Sequence, residues 1–259
     1  MSWKLFKYEI VNLTSSVITI IFGFIFPIGM VLLFSFAFGG EVTDTSALHT
    51  QLFIQFALTI PLAILLIGHA VNYASELESG AALRFKLFGH SERSLLVSKM
   101  LANLFFLTIS LAIYTIVVSL ALQVNAPSVG AVFTFLGFYY IFSAIVFVLG
   151  HAIATIFGQV GKVMGTTMTL YFLLMILGGM MGVQPDNLPD GVRHISMGLP
   201  LYWITMYLND FWVGGSFNFV PLIITTLGLA VLSIGLFGLA LWLRKKGKIK
   251  QGAKPAYYD

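Results

Sequence analysis

Six long apolar runs separated by short polar stretches dominate the chain, at about Val17–Phe38, Leu52–Ala74, Met100–Leu122, Val129–Phe157, Val163–Val183 and Phe219–Leu243. Each is near or above the ~20 residues that cross a bilayer as a helix. The pattern predicts an all-α membrane protein with six transmembrane helices. The fourth run is long enough that it must tilt, or break near Gly150. Pro27 and Pro61 fall inside spans, where neighbouring helices can satisfy the backbone groups they free.

Three stretches outside the spans carry patterns of their own. Ahead of the first run, Trp3, Phe6, Ile10, Leu13 and Val17 recur at helical spacing, opposite Lys4, Lys7, Glu9 and Asn12. This predicts an interfacial amphipathic helix over 1–16, lying on the inner leaflet with Trp3 and Lys4 at headgroup depth. After the second run, 76–99 holds Glu76, Glu78, Arg84, Lys86, Glu92, Arg93 and Lys99. So polar a segment cannot stay in hydrocarbon and is expected in water. It also carries Leu83, Phe85, Leu87 and Phe88. Two readings follow: a solvated loop that helps to fix topology, or a short helix with an apolar stripe that docks on another protein.

The third stretch, 184–218, is too long for a simple turn and too apolar to be one. Pro185, Pro189 and Pro200 punctuate it, and Leu201, Tyr202, Trp203, Ile204, Met206, Tyr207, Phe211 and Trp212 follow the last of them. It reads as two short helices dipping into the outer leaflet as a re-entrant hairpin, packed against their own bundle or a partner. Pro200, Tyr202 and Trp203 are the candidates for an outer gate; a passive interfacial anchor is the alternative.

Composition narrows the class. Of 259 residues, 58% are hydrophobic and 9% charged, and mean hydropathy is +0.94. A soluble domain is about 25% charged. The spans use nearly all of the chain, so 1–259 reads as a single transmembrane domain with a basic tail over 244–259. The absence of cysteine excludes disulfides and thiolate metal sites. A pI near 9.2 could point to nucleic acid, but the basic residues sit beside spans. With both termini inside, thirteen of the fourteen Lys and Arg fall in inner segments and only Arg193 lies outside. Topology and anionic lipid explain that distribution without nucleic acid.

Chemistry is sparse. Gly161-Lys162 and Gly247-Lys248 lack the upstream Gly and the following Ser or Thr of a P-loop, so the chain does not bind ATP by that motif. Neither a His-Glu-x-x-His nor a Gly-x-Ser-x-Gly sequence occurs. His69 and His151 lie within spans; each is either functional or bonded to a neighbouring helix. The near absence of Asp and Glu from the spans argues against ion-coupled transport. Gly161-x-x-x-Gly165, Gly178-Gly179 and Gly235-x-x-Gly238 permit close helix approach.

These pieces resemble the membrane permease subunit of type-two ABC exporters over essentially the whole chain. In that family the inner segment opens with an acidic pair and Gly, continues through a basic stretch, has Pro-Ser, and closes on a Lys entering the third span. Here Glu76-Leu77-Glu78-Ser79-Gly80 matches the start, Arg84 the basic position, Gly89-His90-Ser91 the place of Pro-Ser, and Lys99 the close. Leu77, where Arg is common, and His90, for Pro, are departures that bear on the subfamily and not on the class.

The resemblance implies a separate ATPase subunit that binds ATP and Mg, with no cofactor and no enzymatic activity in this chain. It implies a coupling helix docked on that ATPase through Glu76, Glu78, Gly80, Leu83, Arg84, Phe85, Leu87, Phe88, His90 and Ser91. It further implies a second permease, identical or a sister chain, and an amphipathic substrate such as a drug, an antibiotic peptide, a lipid or a glycoconjugate. The expected location is the plasma membrane of a bacterial cell, with both termini cytoplasmic. The rivals are a secondary transporter or channel without an ATPase, an intramembrane enzyme, and a non-transporting scaffold or immunity protein.

Overall fold

The computed structural model describes residues 3–40, 42–89, 91–181 and 184–246, and among them no strand occurs. The chain is an all-α, multi-pass membrane protein. The N-terminal helix α1 is Trp3–Ser15. The first two spans are α2, Val17–Phe38, and α3, Thr45–Glu78. A short helix α4, Ala81–Leu87, leads to α5, Glu92–Ala121. Then come α6, Val129–Phe157, and α7, Val160–Leu177. Two short helices, α8, Asp190–Met197, and α9, Pro200–Trp212, precede the last span α10, Phe219–Lys245.

Side chains fix where the spans begin. Ser16, Asp44, Ser91, Ser128 and Asn218 each accept a hydrogen bond from a backbone N–H in the first turn that follows. Such caps satisfy donors that the helix itself cannot. The exception is α7, whose N-cap Gln159 makes no such bond.

The hub is α3. Its most apolar stretch is wholly buried, against 11% for α10 and 22% for α2. It packs on α2, α5, α6, α7 and α9, while α10 packs mainly along α6. At 34 residues it is longer than the predicted Leu52–Ala74 at both ends. Its first turns are polar, which hid them from hydropathy, and two of their polar atoms pair with neighbouring elements while His49 Nδ1 stays without a partner among the described residues. His49 Nε2 and Ser35 Oγ lie 2.7 Å apart, and Thr50 Oγ1 accepts from the Asn125 N–H at 2.9 Å.

Two π-wound stretches, Ile21–Ile25 and Leu62–His69, sit beside the two prolines of α2 and α3. Proline has no N–H for the carbonyl four residues back. Pro27 thereby frees the Gly23 carbonyl, which accepts from Ser110 Oγ at 2.6 Å. The stretches also touch: a Cβ on Gly68 would lie 2.6 Å from Thr19 Oγ1, and one on Gly23 would lie 2.9 Å from Ile64 Cγ1.

The helices α6 and α7 also bear on the sequence pattern. The helix α6 runs unbroken through Gly150, so the predicted alternative of a break does not occur. Gly150 instead lets α6 press on α3, because a Cβ there would lie 2.6 Å from the Leu65 carbonyl oxygen. The helix α7 stops at Leu177, short of Val183, where Gly178 and Gly179 follow and Gly179 takes φ +73°.

Gly150→Ala should therefore force the α3–α6 contact apart, at a cost of about 1–3 kcal/mol. The matched control is Gly137→Ala on the same helix, which has open space around it. Thermal unfolding of the purified protein should show a lowered midpoint for the first and no change for the second; equal midpoints would contradict the tight contact.

Candidate functional site

The charged stretch 76–99 does not form one solvated loop. Its ends are inside the protein. Glu76, on the last turn of α3, and Lys99, in the second turn of α5, are 6% and 4% exposed. Lys99 Nζ donates to Glu76 Oε1 at 2.5 Å and to Glu9 Oε1 of α1 at 2.7 Å. Lys99 Nζ also lies 5.9 Å from the centroid of the Tyr73 ring. One buried cation is thus shared by two carboxylates from helices on either side.

Glu9 is the residue that the sequence pattern misplaced. It was expected on the polar face of α1, yet it is 4% exposed. The buried stripe of α1 is Leu5, Glu9 and Leu13, and Trp3, predicted in the apolar stripe, is 70% exposed. The stripe is offset because α1 lies on α5 and supplies a counter-charge to Lys99. A lone acid at four-residue spacing between two leucines was the available signal.

Lys99 carries one positive charge for two carboxyls, so one of them is better off protonated. Burial is the largest influence on Glu9 and raises its pKa; Lys99 lowers it, and Glu76 raises it again, to about 7 from the ordinary 4.5.

The neighbouring acid, Glu78, works differently. Its Oε2 accepts from the Val160 N–H at 2.9 Å. This supplies α7 with the first-turn acceptor that Gln159 does not. A carboxylate at a helix N-terminus is also favoured by the helix dipole. Two residues apart on α3, Glu76 holds α5 through Lys99, and Glu78 holds α7.

Between these posts the chain turns outward. Gly80 and Gly89 take φ +71° and +82°, the left-handed region that side chains other than glycine's enter at a cost. Between them lies α4. Phe85 is half-buried and meets Tyr8 of α1, ring centroids 5.2 Å apart. Arg84 is exposed, and Leu87 and Phe88 are 78% and 81% exposed. Ser91 caps α5, accepting from the Ser94 N–H at 3.2 Å. His90 lies outside the described residues, as does the side chain of Leu83.

Close to this cluster, His69 and His151 come together from α3 and α6, with His69 Nε2 and His151 Nδ1 3.4 Å apart. They stack with Phe147 and Tyr73, at 4.2 Å for His69–Phe147 and for His151–Tyr73. His69, Tyr73 and Glu76 share one stripe of α3 at helical spacing. Both histidines thus bridge neighbouring helices.

At the other end of the bundle, α9 packs into its own chain against α3, α6 and α10. Pro200 opens it and is buried, and Tyr202 is 1% exposed. The Tyr202 hydroxyl donates to Asp186 Oδ1 at 2.8 Å, and Arg193 Nε lies 3.2 Å from the same oxygen. Trp203, half-buried, donates from Nε1 to the Met197 carbonyl at 2.9 Å, which ties α9 to α8. Thr205 Oγ1 donates to the Gly178 carbonyl at 2.7 Å.

A family model described as ABC-2 family transporter protein matches residues 44–243. The chain belongs to the ABC-2 transporter family. It is thus a permease of an ABC-type transporter. Comparison with curated proteins gave no match. The ABC-2 match takes in α3 to α10 almost entirely; Glu9 and α1 lie outside it.

The ion cluster makes a pH prediction. An acid whose folded pKa is raised contributes stability that is complete below its unfolded pKa and is lost as pH rises through the folded value. For Glu9 the window is 4.5 to about 7. The thermal midpoint of the unmutated protein should fall across that window relative to that of Glu9→Gln, which lacks the titrating group. Parallel pH profiles for the two proteins would remove Glu9 as the source.

Proposed function

We propose that the chain is the permease subunit of an ATP-driven exporter, and that a separate ATPase subunit seats on α4. The carrying observation is the pair Leu87 and Phe88, 78% and 81% exposed at the end of a short helix whose two flanks are anchored. Exposed apolar side chains on a rigidly mounted, water-facing turn favour burial against a partner. Arg84 beside them supplies charge matching and orientation more than affinity. In this reading Glu76 and Glu78 act from within, as the posts that hold the docking element.

The charge distribution favours an orientation with α1, α4 and the basic tail in the cytoplasm of a bacterial cell. Two permease chains, identical or sisters, would form the pathway, and ATP with Mg would act only in the partner. Closure of the ATPase pair would push α4, and the posts would pass that push into α3, α5 and α7. The cargo class best suited to so apolar a chain is an amphipath, such as a drug, an antibiotic peptide, a lipid or a glycoconjugate. On the outer side, α8 and α9 would serve as the gate, with Pro200, Tyr202 and Trp203 at its centre.

Burying one large apolar side chain is worth about 1.5–3 kcal/mol, so losing one weakens docking roughly tenfold or more. Leu87→Asp and Phe88→Asp, made separately, should each lose the ATPase on copurification and lose ATP-driven transport. Full retention of the ATPase by either variant would place the docking face elsewhere. For the outer segment, Trp203→Ala should impair export with ATPase copurification intact; normal export in a well-expressed variant would leave α9 as a passive anchor.

A further inference from the structure

Between α5 and α6, at the end of the bundle away from α4, lies a cleft of about 310 Å³, to which α9 contributes its last residue, Trp212. Its floor is aromatic. Phe53, Phe135 and Trp212 meet there, with ring centroids 5.8 to 6.4 Å apart. Trp212 spends the only polar atom of its side chain on the Asn125 carbonyl, at 2.8 Å. Ser119 and Leu136 are exposed beside the cleft.

Three polar side chains line this apolar space: Thr115 and Ser119, one turn apart on α5, and Asn125 just beyond its end. Many span hydroxyls donate to a carbonyl one turn back, Thr108, Ser143, Thr155 and Thr169 among them. The side chains of Thr115, Ser119 and Asn125 make no hydrogen bond to the described residues. Thr115 and Ser119 lie within the span α5, where a hydroxyl without a partner is costly. Among the described residues, no charged side chain lines the cleft. A volume near the lower end of the ~300–1,000 Å³ range of ligand sites leaves room for a single chain.

We propose that this cleft binds an uncharged single-chain lipid of the glyceride type, its tail against Phe53, Phe135 and Trp212 and its head hydrogen-bonded by Thr115, Ser119 and Asn125. A carbonyl one turn deeper than the hydroxyls suits Thr115 below Ser119 and Asn125. An anionic head would find no counter-charge there. The site needs no ATPase and is independent of the exporter reading.

The test is photolabelling of the full chain in phosphatidylcholine nanodiscs. The probe is a monoacylglycerol with a diazirine in its acyl chain; the comparator is the fatty acid with the same tail. The glyceride should label the segments 111–119 and 132–136 and outweigh the fatty acid there. Thr115→Val combined with Ser119→Ala keeps the shape of the cleft and removes two hydrogen-bonding groups. It should cut glyceride labelling roughly fivefold, with the thermal midpoint unchanged. Equal labelling by the two probes, or labelling that the double substitution leaves intact, would overturn the proposal and reduce the cleft to apolar surface. Labelling confined to other segments would overturn it as well.

Discussion

A lysine cation taken out of water must be neutralised, and α1 and α3 each bring a carboxyl group to Lys99. Removing the lysine from such a buried group costs about 3–5 kcal/mol, because the acids packed around it lose their compensation. That cost binds three helices at one edge of the bundle. Glu78, two residues from Glu76, adds a fourth by capping α7. The last turn of α3 is therefore a bracket, and α4 is suspended between fixed ends, with Gly80 and Gly89 as the points where its path bends. A partner pressing on α4 would meet a mounted element, and in the proposed mechanism the displacement would enter the spans directly.

What carries such a displacement onward is the rigidity of α3. It is buried over its apolar length and in contact with α2, α5, α6, α7 and α9. Its π-wound stretch meets α2 at glycines where a Cβ would collide, and a serine of α5 occupies the α2 carbonyl that Pro27 leaves open. Its first turns reach α9, so the two functional candidates at opposite ends of the bundle share one helix.

The six spans were legible because hydrocarbon demands long apolar runs and the chain supplies six. The ends of α3 were not. His49 and Thr50 look like loop residues until Ser35 and the Asn125 backbone are placed beside them, and sequence separation hides those pairings. The same holds for the ion cluster. Glu76 and Lys99 stood out as charges at the ends of a polar segment, but Glu9 is 90 residues from Lys99 in sequence. A helical wheel placed Glu9 with the lysines of α1 because it scores polarity and not pairing. The exposed apolar pair on α4 was visible as composition; its exposure required the fold. The prolines marked where neighbouring helices would have to satisfy freed backbone groups, whereas the hydroxyl that does so in α2 lies on α5, beyond any local pattern.

The hold of Lys99 on α1 can be measured directly. The natural chain has no cysteine, so spin labels can be placed at Val11→Cys on α1 and Ser75→Cys on α3, both exposed. Pulsed electron paramagnetic resonance on the full chain in nanodiscs, at mildly alkaline pH, should give one narrow distance. With Lys99→Met added, two buried carboxyls face each other without a cation, and the distribution should broaden and lengthen as α1 leaves α3. An equally narrow, unshifted distance in the Lys99→Met protein would show that packing alone holds α1 and that the ion cluster is not what binds these helices together.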